Sequence, residues 1–306
     1  MPEFTTQHAE RLLSDWLGAP ARVEAMRPLS GGMVNQVLYV EFDRDPARAV
    51  LKVQPDPAEA ARRYFPPEYV NLRHLRAHDF PVPEPYFLHE AESALPFDVL
   101  AMEFWDAVNL GHARLTRREM DRLEREMAET LLALHAHHRD TYGAVDADPG
   151  NPSWADEFAR RVRPRFENIQ GRISAHTARQ IDAILDRFDV IFADAGPPTL
   201  VHGDIWATNI MLEQRADGWH LRGFVDPGAL YADVEYELAY LQVFNSAGAA
   251  FFEAYTARRP TRAGYPLRRA AYWLNTMIIH VDHFGDAHYR QNTAHLAEQL
   301  AAALGL

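Results

Sequence analysis

Cysteine is missing from all 306 residues, which excludes disulfides, thiolate metal sites and cysteine nucleophiles together. Long apolar runs are missing too: no stretch approaches the roughly 18 residues needed to span a bilayer. The first residues, MPEFTTQHAERLLSDWL, lack the basic segment and apolar core of a secretory leader, so a cytoplasmic protein is expected. Positive charge is in deficit. With 31 Lys and Arg against 43 Asp and Glu, the net charge is −12, whereas a nucleic-acid surface needs a basic footprint. Neither a nucleic-acid nor a membrane partner is expected, and the oligomeric state is left open. The same negative balance keeps a protein soluble and suits a cationic substrate. Also absent are the GxxxxGK[ST] of a P-loop and the GxGxxG of a dinucleotide-binding βαβ unit.

What is present is ordinary for a globular chain, with 47% hydrophobic and 24% charged residues. The length allows two domains, each with its own core. The first third reads as strands and the remainder as helices, an α+β pattern with segregated parts. Strands are expected at 22–28, 34–42, 49–53 and 97–104. Asp56-Pro57-Ala58-Glu59 signals a helix start, and Pro66-Pro67 interrupts and restarts that helix. Pro81, Pro83 and Pro85 open an extended segment. Thr116 and Glu119 form a capping box, followed by Leu123, Met127, Leu131 and Leu134 at helical spacing. Further helices are expected at 154–169, 177–192, 234–243, 248–257, 267–283 and 289–304. The boundary falls near Trp105, dividing a sheet-bearing part, 1–104, from a helical part, 105–306.

The chemistry concentrates in TLVHGDIWATNIML. His202-Gly203-Asp204 and, five residues past Asp204, Asn209 form a polar loop held between apolar residues. Asp226 ends the strand-like GFVDP. Phosphoryl transfer to a hydroxyl needs an aspartate that accepts or orients the acceptor proton. It also needs hard oxygen ligands for Mg²⁺ on the β/γ-phosphates. Asp204, Asn209 and Asp226 supply that set, although HGDxxxxN alone also suits a turn. The other parts follow in the order a kinase requires. Gly31 and Gly32, between two strands, can cover phosphates with backbone N–H groups. Lys52, inside AVLKV, has an apolar stem and needs an anion, the α/β-phosphates of ATP; the alternative is an edge strand with Lys52 facing water. Glu68 on the next helix is the natural ion-pair partner of Lys52, with Glu59 as runner-up. His138-Arg139-Asp140 imitates a protein-kinase triplet, but Val145 stands where its metal ligand belongs.

In that order these residues resemble the aminoglycoside phosphotransferase and choline kinase superfamily, and within it most closely the fructosamine (ketosamine) kinases. The resemblance runs from Gly31 to about Tyr289. It is carried by GGMVN, AVLKV, PVPEP, LLALH, FARRVRPRFE, LVHGDIWATN, VDPGALYADVEYELA and HFGDAHY. It implies a bilobal protein-kinase-like fold, ATP and Mg²⁺ as cofactors, Asp204 as catalytic base, and Asn209 with Asp226 on the metal. It further implies that Met102, Glu103 and Trp105 hold the adenine edge and that the HFG segment at His283 closes the acceptor pocket. Trp206 and Tyr231 can wall that pocket, and Glu235 or Asp286 can hold an amine. Glu237 departs from the superfamily's usual aspartate at a position that braces the catalytic loop. His280, Asp282, His283, Asp286 and His288 crowd a helix end, a spacing that suits packing or solvation better than a transition metal. His135, His137 and His138 read as the polar end of a helix. The expected function is a small-molecule kinase acting on a ketosamine. Aminoglycoside, choline or homoserine kinases are the alternatives within the superfamily, and a nucleotide-binding pseudokinase-like regulator is the alternative outside enzymes.

Overall fold

The structure, a computed structural model, describes residues 3–29, 35–55 and 64–306. Helix α1 (Thr6–Leu17) is followed by strands β1 (Val23–Pro28), β2 (Gln36–Phe42) and β3 (Arg48–Pro55). Next come α2 (Phe65–Arg76), β4 (Pro85–His89), β5 (Phe97–Glu103) and the short β6 (Val108–Asn109). The helical stretch holds α3 (Arg117–Leu134), β7 (Gly143–Ala144), α4 (Trp154–Ile169), α5 (Ala175–Leu185) and α6 (Phe188–Ile191). Strands β8 (Thr199–Val201), β9 (Ile210–Arg215), β10 (Gly218–Phe224) and β11 (Leu230–Ala232) then precede α7 (Glu235–Val243), α8 (Ala249–Thr256), α9 (Tyr265–His283) and α10 (Ala287–Leu304). The chain divides into two compact units, residues 1–114 with 207–228, and residues 115–206 with 229–306.

In the first unit an antiparallel sheet runs in the order β1-β2-β3-β5-β4. Leu12 and Leu13 of α1 join Leu38, Val40, Leu51, Phe97 and Val99 in its core. Strand β5 is buried along almost its whole length: it is apolar except for Asp98, whose buried carboxylate accepts from the Ala91 N–H at 2.8 Å, and Glu103 at its end. Pro66 and Pro67 stand in the first turn of α2, where a missing N–H costs nothing because first-turn donors have no intrahelical partner. The helix start expected at Asp56 lies outside the described residues. The segment after Pro85, expected only to be extended, pairs as a strand with β5. A second small sheet, β10-β9-β6, belongs to the same unit.

The second unit is mostly helical, with one three-stranded sheet in the order β7-β11-β8. The capping box is formed: the Glu119 N–H donates to Thr116 Oγ1 at 3.3 Å, and the Thr116 N–H to Glu119 Oε2 at 2.9 Å. Its core is rich in aromatics, with Phe158 packed edge-on against Tyr272 at 5.3 Å and Phe192 stacked on Tyr272 at 5.2 Å. The helix expected at 177–192 is broken in two. The backbone opens at Arg187 (φ −113°, ψ 14°), which turns Phe188, Ile191 and Phe192 into that core. Among the described residues no helix is long and apolar enough to cross a membrane.

Candidate active site

Lys52 lies on β3, the middle strand of five, opposite Val37 on one side and Leu100 on the other. A middle strand has no water-facing edge, and Lys52 is 9% exposed. Its ammonium donates to Glu68 Oε1 at 2.6 Å and also to the carboxylate of Asp226. Burial would lower the Lys52 pKa, but Asp226 and Glu68 outweigh it and hold the group above its ordinary value. Two carboxylates share this one ammonium, so one is undercompensated. Burial pushes the Glu68 carboxyl up to about 6, against the pull of Lys52. Glu59, Gly31 and Gly32 lie outside the described residues.

Asp226 is half exposed and sits at φ 57°, a left-handed conformation that aspartate tolerates better than most side chains. The turn is pinned from behind. Asn71, one helical turn beyond Glu68 on α2, donates from Nδ2 to the Pro227 carbonyl at 2.9 Å. Asn209 reaches the same place from the other strand of the β9–β10 hairpin. Ile210 pairs with Phe224, and the Val225 N–H donates to the Asn209 carbonyl at 3.0 Å. Asn209 and Asp226 therefore leave the open end of one hairpin side by side. Gly223 lets this hairpin pack against Pro81 and Trp105: a Cβ there would stand 2.3 Å from the Pro81 carbonyl oxygen and 2.8 Å from the Trp105 ring. Met102 and Trp105 are buried, and the Glu103 N–H donates to the Glu84 carbonyl at 2.8 Å.

In the second unit, Asp204 follows Gly203, whose φ of 83° turns the loop sharply after β8. Glu237, at the start of α7, holds that loop with both carboxylate oxygens. Oε2 accepts from the His202 N–H at 3.2 Å and Oε1 from the Gly203 N–H at 2.6 Å. The longer carboxylate thus reaches two consecutive backbone donors. Its second partner is His135, 2.8 Å from Oε2 and 2.6 Å from the Tyr255 hydroxyl through its other nitrogen. His135 is fully buried, which corrects its reading as a polar helix end. Burial lowers its pKa despite Glu237, so the neutral ring donates to Glu237 and accepts from Tyr255. The hydroxyl of Tyr240, also on α7, donates to Asp204 Oδ1.

The expected acceptor residues fare differently. Trp206 is half-buried and His283 exposed. Tyr231 is buried, with the Arg139 guanidinium 4.3 Å above its ring. Glu235 does not face an acceptor. It is 1% exposed and bound by Arg268 Nε at 2.6 Å, the Arg262 N–H at 2.8 Å and the Arg262 guanidinium at 3.1 Å. It belongs to a buried network in which Arg262 also grips Asp233. Breaking a buried pair leaves an uncompensated charge. Arg268→Met should therefore destabilise the protein by about 3 kcal/mol, the lower end because Arg262 remains. Chemical denaturation measures this, and an unchanged unfolding midpoint would contradict it. Among the described residues no group of three or more His, Cys, Asp or Glu is arranged to hold a metal.

A row of rings links the Asp204 loop to that segment. Tyr240 and Phe244 have centroids 5.1 Å apart, Phe244 and His280 5.2 Å, and His280 and Phe284 5.6 Å. Phe244 also lines a cavity of about 350 Å³ with Trp273, Met277, Tyr289 and Leu296.

Residues 5–302 match the family model for fructosamine kinase. The chain belongs to the fructosamine kinase family. It is similar to ketosamine-3-kinase of Mus musculus, 26% identical across 95% of this chain and 99% of that one. Its fold is similar to that of a Thermobifida fusca protein assigned as a fructosamine-3-kinase, with a TM-score of 0.77 at 22% identity, covering 97% of this chain and 100% of that one. The streptomycin–ATP–APH(2″)-IIa ternary complex shares the fold more distantly, with a TM-score of 0.64 at 16% identity over 98% and 99% of the two chains. Membership in the fructosamine kinase family makes this chain a small-molecule kinase, and the kinase-like α+β fold expected from the sequence is the one it has.

Proposed function

We propose that this kinase transfers the γ-phosphoryl group of ATP, with Mg²⁺, to a hydroxyl of a ketosamine such as a fructosamine or ribulosamine. One observation carries the reading: Lys52, Glu68 and Asp226 converge in one ion-paired cluster, with Asn209 beside it. Lys52 would meet the α/β-phosphates, exchanging one carboxylate partner for phosphate oxygen. The Asp226 carboxylate and the Asn209 amide oxygen fit Mg²⁺, which takes one or two carboxylates from a protein and fills its shell from phosphates and water. When bound, Mg²⁺ neutralises charge on the β- and γ-phosphates. The Glu103 N–H is already used within the sheet, so the carbonyl of Glu103 and the N–H of Trp105 are the groups for the adenine edge. Gly31 and Gly32 would cover the phosphates. The nucleotide roles thus fall within 1–104 together with Trp105, Asn209 and Asp226, and the acceptor roles within the rest of 105–306.

Asp204 takes the proton of the acceptor hydroxyl as its oxygen bonds to the γ-phosphorus. The bond from that phosphorus to the bridging oxygen breaks, and ADP leaves with the electron pair. Trp206 offers a face on which a sugar ring can stack. The ring row ending at Phe284 supports His283 and its neighbours as the far side of the acceptor region. The family match and the ketosamine-3-kinase relative favour a ketosamine over an aminoglycoside or choline.

The test is kcat/KM on purified protein for ketosamines, aminoglycosides and choline side by side. Ketosamines should lead, and Trp206→Ala should raise KM for the ketosamine more than for ATP. An aminoglycoside or choline outrunning every ketosamine would overturn the acceptor while leaving a kinase.

A further inference from the structure

We infer that Tyr240 is a positioning residue for the acceptor step, its hydroxyl engaging Oδ1 of Asp204 and so fixing the carboxylate that takes the acceptor proton. The inference rests on Asp204 being the base. Tyr240 lies three residues beyond Glu237 on α7, and residues three apart share a helix face. One turn of one helix therefore fixes the loop twice, Glu237 through the His202 and Gly203 N–H groups and Tyr240 through the Asp204 side chain.

A carboxylate on a loop can rotate about its side-chain torsions, and a single firm hydrogen bond to one oxygen removes most of that freedom. The phenol suits this task because it stays a donor. Burial, and then the Asp204 charge, raise the Tyr240 pKa well above its ordinary value, so Tyr240 keeps its proton throughout turnover. The acceptor proton goes to Asp204 alone. The ring is held from behind by Phe244 at 5.1 Å. The Asp204 N–H also donates to His202 Nδ1 at 3.3 Å, which orients the backbone of the same residue.

Tyr240→Phe removes the hydroxyl and keeps the ring. A hydrogen bond to a charged group is worth enough that its loss should lower kcat about tenfold. KM for ATP should stay unchanged, because an interaction serving only the acceptor step does not touch nucleotide binding. The decisive measurement is a double-mutant cycle with Asp204→Asn. If Tyr240 acts through Asp204, adding Tyr240→Phe to Asp204→Asn should cost nothing further. A full tenfold loss in that background would show that Tyr240 acts elsewhere and would overturn the inference, as would wild-type kcat in Tyr240→Phe alone. Wild-type kcat in Asp204→Asn would instead end the assignment of the base itself. Circular dichroism and thermal melts on all four proteins separate these outcomes from a folding defect.

Discussion

Asp204→Asn is expected to lower kcat by about 10²–10⁴, the usual contribution of a positioned acid or base, with ATP affinity nearly unchanged. The substitution is conservative in shape. The asparagine carbonyl can still accept from Tyr240, and Glu237 still holds the His202 and Gly203 N–H groups, so the loop should keep its geometry. What disappears is the capacity to take a proton. The measurement is single-turnover phosphorylation of a ketosamine together with ATP binding by titration. Turnover within a few-fold of wild type would remove Asp204 from the chemistry. A matching loss of ATP affinity would point to a collapsed loop.

Asp226→Asn should be comparably severe, about 10²–10³ in kcat/KM, the loss seen when one preorganised electrostatic group is removed. Alanine would be a poorer probe, because φ at this position is 57° and asparagine, like aspartate, tolerates the left-handed region better than other side chains. The variant should also need more Mg²⁺ for half-maximal activity, since a carboxylate ligand has become a neutral amide. A second consequence runs in the opposite direction. Without the Asp226 charge, Lys52 keeps Glu68 as a carboxylate partner, and the Glu68 carboxyl should fall from about 6 towards its ordinary value. An Asp226→Asn enzyme with wild-type Mg²⁺ dependence would rule out the metal role.

Much of this architecture could be read from the chain. Lys52 within AVLKV was legible because a lysine among apolar residues needs either a charge partner or a water-facing edge, and the middle strand has no such edge. The Asp204 loop was legible because apolar residues bracket it closely on both sides. What stayed hidden depended on residues distant in sequence. Nothing local tells that Glu235 is consumed by Arg262 and Arg268, about 30 residues away, so the sequence alone offers it as an amine holder. His135 meets Glu237 across 102 positions, and a histidine at a helix end looks solvated until its partner is known. Two signals were available and missed. Tyr240 follows Glu237, and Asn71 follows Glu68, at the three-residue spacing that puts side chains on one helix face. The break at Arg187 was not legible, since the periodicity runs through it and only packing of Phe188 and Phe192 opens the helix.

Helix α2 has a mechanical consequence. Glu68 reaches Lys52, and one turn later Asn71 reaches the carbonyl beside Asp226. Each residue of a helix advances about 100° around its axis, so a small rotation of α2 withdraws both side chains in a single motion. The lysine and the strained turn at Asp226 are therefore not independent parts. They are two ends of one lever, and a substitution that shifts α2 should disturb both together.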